Sequence, residues 1–282
     1  MAARRDRRGE RDPLQLAFLL LLLARLWEQY QRLPVKPGPI TTALVLVMVV
    51  MHLVPELAPP VRSVCISSSM WHLLVPDAGW ATWLLGRRSL QERATEAAKR
   101  LVFSSLLHVD DLHLYYNLAS LLWKGTTLEE LMGAERYGGF VLYGVLASGA
   151  LAVGLGRAAE ALQLGTLHCA IGFSGVLYAM SALMALTDSP DRPAHVHGIP
   201  VRRRHAVWVE VVVSSLLHQH VSFLGHLGGA AAGALWHLAP SAAASARNLH
   251  LPRGRAATQQ PRFRGGGRVG GNSGRRMYTP VD

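Results

Sequence analysis

Long apolar blocks, separated by polar or proline-containing segments, constrain the fold of this chain more than any other feature. Half of its 282 residues are hydrophobic and only 17% are charged. A helix needs about 20 mostly apolar residues to cross the hydrocarbon core of a bilayer. Lipid offers no partner for backbone N–H and C=O groups, so such blocks cross as helices. The sequence therefore predicts an all-α fold, a polytopic helical bundle in a membrane.

Six segments fit membrane spans, and we keep two of them although they contain polar residues. Polar groups within a span usually face the bundle interior and mark function, because exposing them to lipid is costly. The predicted spans are residues 40–57, 112–132, 137–155, 167–186, 206–217 (or as far as 220) and 222–238. The long first loop, residues 61–111, carries three tryptophans, and we expect part of it to lie in the membrane interface.

The two ends of the chain are expected to lie outside the membrane domain, residues 36–240. Residues 1–35 join an arginine-rich start to a short apolar run, residues 14–27. No small-x-small cleavage site follows that run, so we interpret it as an interfacial helix or a lead-in to the first span. An additional span is the alternative. Residues 241–282, rich in glycine and arginine, are expected to form a disordered cytosolic tail.

Arginine is concentrated at both ends and in the loop of residues 188–205, and the net charge is +11. Nucleic-acid binding is one interpretation of such an excess. Positive charge is also what holds short loops on the cytosolic side of a membrane, and we favour that interpretation and expect no nucleic-acid partner. Both termini are then cytosolic. Six spans satisfy this arrangement, because an even number separates each pair of basic regions.

Two glycine-flanked motifs place a hydroxyl and an imidazole inside apolar segments. They are Gly172-Phe173-Ser174-Gly175 and Gly225-His226-Leu227-Gly228-Gly229. With six spans, Ser174, His226 and His113 all lie in the non-cytosolic half of the bilayer. A serine and a histidine can act as nucleophile and general base. No carboxylate stands beside either motif, so the sequence favours a dyad over a triad, although a glycine-serine motif can also serve helix packing alone.

Further polar and small residues fall at helical spacing around these two motifs. Tyr178 follows Ser174 by one turn and can pack against the imidazole of His226, or be an ordinary core tyrosine. His113 and Asn117 share a helix face and can donate hydrogen bonds to an oxyanion, or make an interhelical polar contact. A ladder of glycines at a spacing of four predicts close packing of the last span against a partner helix, at Gly225, Gly229 and Gly233.

The remaining candidates are weaker, and the sequence predicts no metal site. The histidines lack the H-E-x-x-H pattern of a zinc helix. Glu210, inside the fifth span, is either functional or a protonated packing residue. We assign Glu129 an anchoring or structural role. Two cysteines, Cys65 and Cys169, are too few for a disulfide framework, so we expect both to be packing residues.

Together these motifs resemble the rhomboid intramembrane serine proteases, and most of all the rhomboid-related protein 4 branch, which resides in the endoplasmic reticulum. The resemblance covers residues 36–240 and implies a six-span rhomboid-like core. The matching segments are residues 113–117, Glu129 with Gly133, residues 172–178, and residues 225–229 with Gly233. The branch signature is carried by residues 107–120 and by residues 208–210.

The resemblance implies that Ser174 is the nucleophile and His226 the base of a protease that cleaves single-pass membrane proteins within or near their spans. His113, Asn117 and Gly172 would support the oxyanion, and Tyr178 would stack on His226. No metal and no cofactor are implied, and the partners are transmembrane substrates and the lipid bilayer. The tail lacks an acidic, alanine-centred motif, so ubiquitin recognition is not expected.

Two other functions remain open from the sequence. A catalytically silent rhomboid-like protein that binds membrane clients usually loses the serine or the histidine, and this chain has both. A small transporter or channel would use the polar residues as a pathway, and it predicts internal repeats or broken helices in matched halves, which the sequence does not contain.

Overall fold

The structure, a computed structural model, describes residues 12–75, 90–196, 199–217 and 222–239. This part of the chain is helical apart from one two-stranded antiparallel hairpin, β1 (Pro193–Val196) and β2 (Ile199–Arg202). Its helices are α1 (Pro13–Arg32), α2 (Pro39–Leu53), α3 (Val61–Val64), α4 (Trp71–Leu74), α5 (Leu90–Leu106), α6 (Asp111–Met132), α7 (Ala134–Ala161), α8 (Ser174–Thr187), α9 (Arg203–Leu217) and α10 (Phe223–Leu238). The predicted disordered tail, the arginine-rich start, His218 and His220 lie outside the described residues.

Only α7, among the described helices, is both long and apolar enough to cross a membrane by length and composition alone. The helix α2 and the segment Pro55–Val64 meet that test together, but they are bent by 105° at the break between them. The predicted first span was therefore too long, because the helix ends at Leu53 and Pro55 begins a separate 3-10 turn. Proline at this point removes a backbone donor and favours the change of direction.

The predicted fourth span, residues 167–186, was wrong in its first third. The helix α8 begins at Ser174, and the residues before it form an extended loop in which Ala170 pairs with Ile66 as an isolated antiparallel bridge. Gly172 has a φ of +119°, a conformation that L side chains rarely adopt. An apolar composition does not distinguish such a buried loop from a helix, which explains the error.

The glycine ladder of α10 forms the closest helix packing in the bundle. A Cβ on Gly229 would lie 2.1 Å from the carbonyl oxygen of Gly175, and one on Gly233 would lie 2.2 Å from that of Ala179. The backbones of α8 and α10 are thus in direct contact, as the spacing predicts. Gly225 differs from the prediction, because a Cβ there would meet only Ser222 of its own turn.

The first helix packs against the bundle rather than standing apart from it. The side-chain amide of Gln29 donates to the carbonyl of Ala119 on α6 at 3.0 Å, and three leucines of α1 are buried. Arg25 lies on the outer face and pairs with Glu28. The interfacial helix of the sequence prediction is therefore a helix that is fixed to α6 along part of its length.

Glu129 fixes the beginning of α2. Its two carboxylate oxygens accept from the backbone N–H groups of Ile40 and Thr41, each at 2.9 Å. These N–H groups lack partners within their own helix, and a buried carboxylate at a helix N-terminus satisfies them and complements the helix dipole. The structural role that the sequence assigned to Glu129 agrees with this contact.

Cys65 and Cys169 form a disulfide bond, so the expectation that both are free packing residues was wrong. Their Cα atoms are 5.1 Å apart across a sequence separation of 104 residues. The bond ties the loop after α3 to the loop before Ser174, next to the bridge between Ile66 and Ala170. Two cysteines so far apart in sequence carry no spacing signal that would have predicted their pairing.

Candidate active site

The predicted site residues lie at the N-terminal ends of three neighbouring helices. Ser174 is the first residue of α8, while His113 and His226 lie in the first turns of α6 and α10. Side chains cap two of these ends: Asp110 accepts from the backbone N–H of His113 at 2.7 Å, and Ser222 accepts from that of Gly225 at 3.0 Å. Capping favours helix initiation at these residues, and it thereby fixes both histidines in the first turn of their helices.

The imidazole of His226 packs on the ring of Tyr178, as the spacing from Ser174 predicts. The ring centroids are 4.1 Å apart and the ring planes differ by 30°. His226 is 3% exposed. Because Tyr178 stands one helical turn after Ser174, this contact holds the imidazole beside the face of α8 that carries the hydroxyl.

Gly172 allows the imidazole of His113 to approach the loop that leads to Ser174. A Cβ on Gly172 would lie 2.6 Å from Cε1 and 2.7 Å from Nε2 of His113. The backbone N–H of Gly172 donates to the carbonyl of Ser104 at 2.7 Å, which holds the loop in place. The contact brings a ring nitrogen of His113 next to Gly172, which stands two residues before Ser174 in the sequence.

Asn117 makes a different contact, and its predicted role beside His113 stays a prediction. Its side-chain amide donates to the carbonyl of His113 within α6 at 2.7 Å, and its Oδ1 is buried without a hydrogen-bond partner. His113 lines the cavity described next, and Asn117 does not. The one-turn spacing placed both residues on one helix face, and the bond to the carbonyl of His113 holds the amide against the helix backbone.

A cavity of about 510 Å³ opens in front of Ser174. Its described lining includes no aspartate, glutamate, lysine or arginine. Its polar surface comes from hydroxyl and imidazole groups, at Ser104, Ser105, Ser148, Thr166, Ser222, His113 and His168. Several glycines and alanines also line it, so the cavity has room for a peptide backbone and hydrogen bonds for the groups that an unwound backbone exposes.

A buried histidine adjoins His113 at the start of α6. His108 lies edge-on to it, with ring centroids 5.1 Å apart, and neither ring nitrogen of His108 has a hydrogen-bond partner. Burial holds the pKa of His108 well below its usual range, and the nearby His113 and His52 act in the same direction. His108 is therefore neutral where a surface histidine would begin to charge.

Two polar groups near the site were missed by the sequence predictions. Ser214 of α9 has its Oγ 3.4 Å from Nδ1 of His226. Lys124 of α6 pairs with Glu210 of α9 at 2.5 Å, and Ser181 donates to the same carboxylate at 2.8 Å. Glu210 thus has Lys124 as its ion-pair partner inside the bundle. Lys124 could have been found as a cation inside an apolar segment, which requires a partner.

The described residues contain no group of three or more histidine, cysteine, aspartate or glutamate side chains that could hold a metal ion. His52 pairs instead with Asp111, with Nε2 and Oδ1 at 2.7 Å. This pair joins the end of α2 to the start of α6 and supports the helix end on which His113 stands.

The fold and the site define a class of protein: a helical membrane protein with a serine and a histidine at the adjacent ends of two closely packed helices. A sequence profile of the Rhomboid domain matches residues 95–242. Rhomboid-related protein 4 of Homo sapiens is 32% identical over 206 residues, which are 71% of this chain and 64% of that protein. Rhomboid-like protein 14, mitochondrial, of Arabidopsis thaliana is 32% identical over 215 residues, 74% of this chain and 58% of that protein.

The chain therefore belongs to the rhomboid family, whose members are integral membrane proteins. This confirms the resemblance found in the motifs and the predicted all-α membrane bundle. The alignments span about three fifths of the length of these relatives. The catalytic roles of the individual residues stay predictions.

Proposed function

We propose that the protein is an intramembrane serine endopeptidase that cleaves single-pass membrane proteins within or near their transmembrane segments. The observation that carries the proposal is the stacking of His226 on Tyr178, one turn beyond Ser174, where the backbones of α8 and α10 touch. A base and a nucleophile on two elements are effective only when the geometry between them is fixed. Direct backbone contact between the two helices provides that rigidity.

In this mechanism Oγ of Ser174 attacks the scissile carbonyl carbon while its proton passes to His226. The oxygen of the tetrahedral intermediate accepts hydrogen bonds from the backbone N–H of Ser174 and from His113, which lines the cavity. The C–N bond then breaks and the imidazolium gives its proton to the leaving amine. Water, activated by His226, attacks the acyl-serine and releases a carboxylic acid and the free enzyme.

The cavity limits the substrates that this site can accept. A peptide bond inside a helix has its carbonyl engaged with an N–H four residues along the chain, so it must unwind before attack. The neutral polar lining offers partners to the exposed backbone groups. Substrate segments with poor helix formers near the cleavage site would unwind at the lowest cost, because they lose the least helical stability.

We place the protein in the membrane of the endoplasmic reticulum with both termini in the cytosol. The family resemblance supports this location, and the disulfide bond near the site fits a cavity that opens to an oxidising compartment. One plant relative carries the word mitochondrial in its name. Fractionation of cells that express the full chain, with markers for both organelles, distinguishes the two locations.

A cleavage assay in liposomes with a single-span reporter substrate tests the function. We expect the wild type to cut the reporter, and Ser174→Ala and His226→Ala to lower the rate by roughly a thousandfold or more, the scale measured for loss of such groups. Ser215→Ala and His237→Ala are matched controls on α9 and α10, and they should cleave as the wild type does. Equal cleavage by all five proteins would refute the protease assignment. Binding of the reporter without cleavage by the wild type would favour the silent, client-binding alternative.

A further inference from the structure

We propose that Ser214 is a positioning residue that holds the imidazole of His226 for proton transfer. This inference rests on the proposed protease function and adds a member to its catalytic arrangement. A dyad without a carboxylate leaves open what orients the second nitrogen of the histidine ring, and in serine proteases that orientation is decisive for the rate. The hydroxyl of Ser214 stands at that nitrogen.

The geometry connects Ser214 to both stacked rings. Its Oγ is 3.4 Å from Nδ1 of His226 and 2.5 Å from the hydroxyl of Tyr178. The first distance is long for a hydrogen bond, as is common for catalytic contacts before a substrate binds. The same hydroxyl group thus contacts the edge of the imidazole and the ring that covers its face. Rotation of the imidazole would break both the stacking and the polar contact.

The donors and acceptors around Ser214 favour a proton on Nδ1. A serine hydroxyl has one proton to donate and two lone pairs that accept. The carbonyl of Val211, 3.1 Å from Oγ, can only accept, so it takes the serine proton. The hydroxyl of Tyr178 donates to the carbonyl of Glu210 at 3.2 Å and also lies within hydrogen-bonding distance of Oγ. Oγ therefore keeps a lone pair that accepts from Nδ1–H of His226. In that tautomer Nε2 carries no proton, which is the form that a general base requires.

The same contact persists through the reaction. When Ser174 transfers its proton to Nε2, the imidazolium keeps the proton on Nδ1, so the hydrogen bond to Ser214 needs no rearrangement. A bond to a charged donor is also stronger than one to a neutral donor. Ser214 therefore stabilises the ring more after proton transfer than before it, which is the condition for lowering a barrier.

Polar contacts to two other helices hold Ser214 in place. The hydroxyl of Tyr178 lies 3.2 Å from the carbonyl of Glu210, one turn before Ser214 on α9. The carboxylate of Glu210 is bound by Lys124 of α6 and by Ser181 of α8. This segment of α9 is thus tied to α6 and α8 close to His226. A loosely attached helix could not fix a hydroxyl at one ring nitrogen.

Ser215 provides a matched control. Its hydroxyl also donates to the carbonyl of Val211, at 2.7 Å, and it is the next residue on the same helix. We expect Ser214→Ala to lower kcat roughly five- to tenfold with KM unchanged, the scale of one lost hydrogen bond. Ser215→Ala should match the wild type. Ser214→Thr, which keeps the hydroxyl, should recover most of kcat.

A fluorophosphonate, which reacts only with an activated serine, gives a second measurement without substrate binding. Its rate of labelling at Ser174 should fall in Ser214→Ala as kcat does, while the thermal midpoint in detergent stays near that of Ser215→Ala. Equal kcat and labelling rates in Ser214→Ala and Ser215→Ala would overturn the role of Ser214 and leave the protease function unaffected. A Ser214→Thr variant with the thermal midpoint of the wild type but the kcat of Ser214→Ala would also overturn that role. Full cleavage by Ser174→Ala would instead overturn the protease function.

Discussion

The two ends of the bundle use opposite kinds of polar chemistry. At the active-site end, the polar side chains in the described lining of the cavity are hydroxyls and imidazoles, and the rest of that lining is apolar or small residues. At the end that carries the β-hairpin, buried charges are paired: Asp188 contacts Arg192 at 2.9 Å and Arg203 at 3.1 Å. Lys124 and Glu210 form a third buried pair on the way between the two ends.

This difference assigns a separate task to each end. Neutral donors and acceptors can exchange partners with water and with a peptide backbone at small cost, which suits a site that must admit and release a substrate. Paired buried charges exchange partners only at high cost, because separating them leaves a charge without solvent. The hairpin end therefore acts as the fixed part of the fold, and the cavity end as the part where contacts change.

Among the changes that compare the two ends of the bundle, the largest effect should come from breaking the contact between Gly172 and His113. Gly172→Ala would drive a methyl group into the imidazole, and we expect roughly a hundredfold loss of kcat, the scale for one lost oxyanion donor. The measurement is the cleavage rate in liposomes at equal protein level. Gly165→Ala is the matched control, because Gly165 also has a positive φ, +133°, but no atom within 4 Å of an added Cβ. Equal losses in both variants would assign the effect to backbone strain and contradict the role of His113.

A second experiment acts on the charged part of the molecule. Lys124→Met leaves Glu210 without its cation, and we expect a loss of roughly 3 kcal/mol in the free energy of unfolding. The double variant with Glu210→Gln should recover most of it, because no uncompensated charge remains. Thermal unfolding in detergent gives the comparison, and kcat of the folded fraction should change less than stability does. A double variant as unstable as Lys124→Met would mean that the pair does not act through its charge.

The sequence predicted the positions of several helices, and it predicted fewer of the contacts between side chains. Apolar blocks located α6 and α10 to within a residue or two, and the glycine spacing identified Gly229 and Gly233 as contact points with α8. These features are local and periodic, so they can be recognised in the sequence without knowing which helix packs against them. The sequence placed His113 and Ser174 in the same half of the bilayer, but it did not predict the contact of His113 with Gly172.

The contacts that the sequence did not reveal all join distant segments through single side chains. The disulfide bond, the pair of Lys124 with Glu210 and the contact of Ser214 with His226 have no repeat and no fixed spacing. The loop before Ser174 was read as helix because its apolar residues satisfy the same composition test. Such contacts depend on how helices are arranged in space, and a linear pattern of hydrophobicity does not encode that arrangement.

The smallest predicted effect concerns His108, which lies at the active-site end without any charge partner. Its pKa is lowered in the folded protein by burial and by His113 and His52, so the unfolded chain binds more protons below about pH 6.5. The contribution of neutral His108 to the free energy of unfolding is complete at neutral pH. It is lost as the pH falls through the pKa that this histidine has in the unfolded chain. Between about pH 7.5 and 5.5 this group should cost about 1 kcal/mol.

The variant His108→Phe should show a smaller acid-induced drop in thermal midpoint than the wild type. Phenylalanine keeps a ring edge-on to His113 and removes the group that takes up a proton. His205→Phe, at an exposed histidine on the hairpin end, is the control and should drop as the wild type does. If His108→Phe loses as much stability in acid as the control, the acid sensitivity arises elsewhere. If it loses less, protonation of the buried His108 beside His113 accounts for that part of the acid sensitivity.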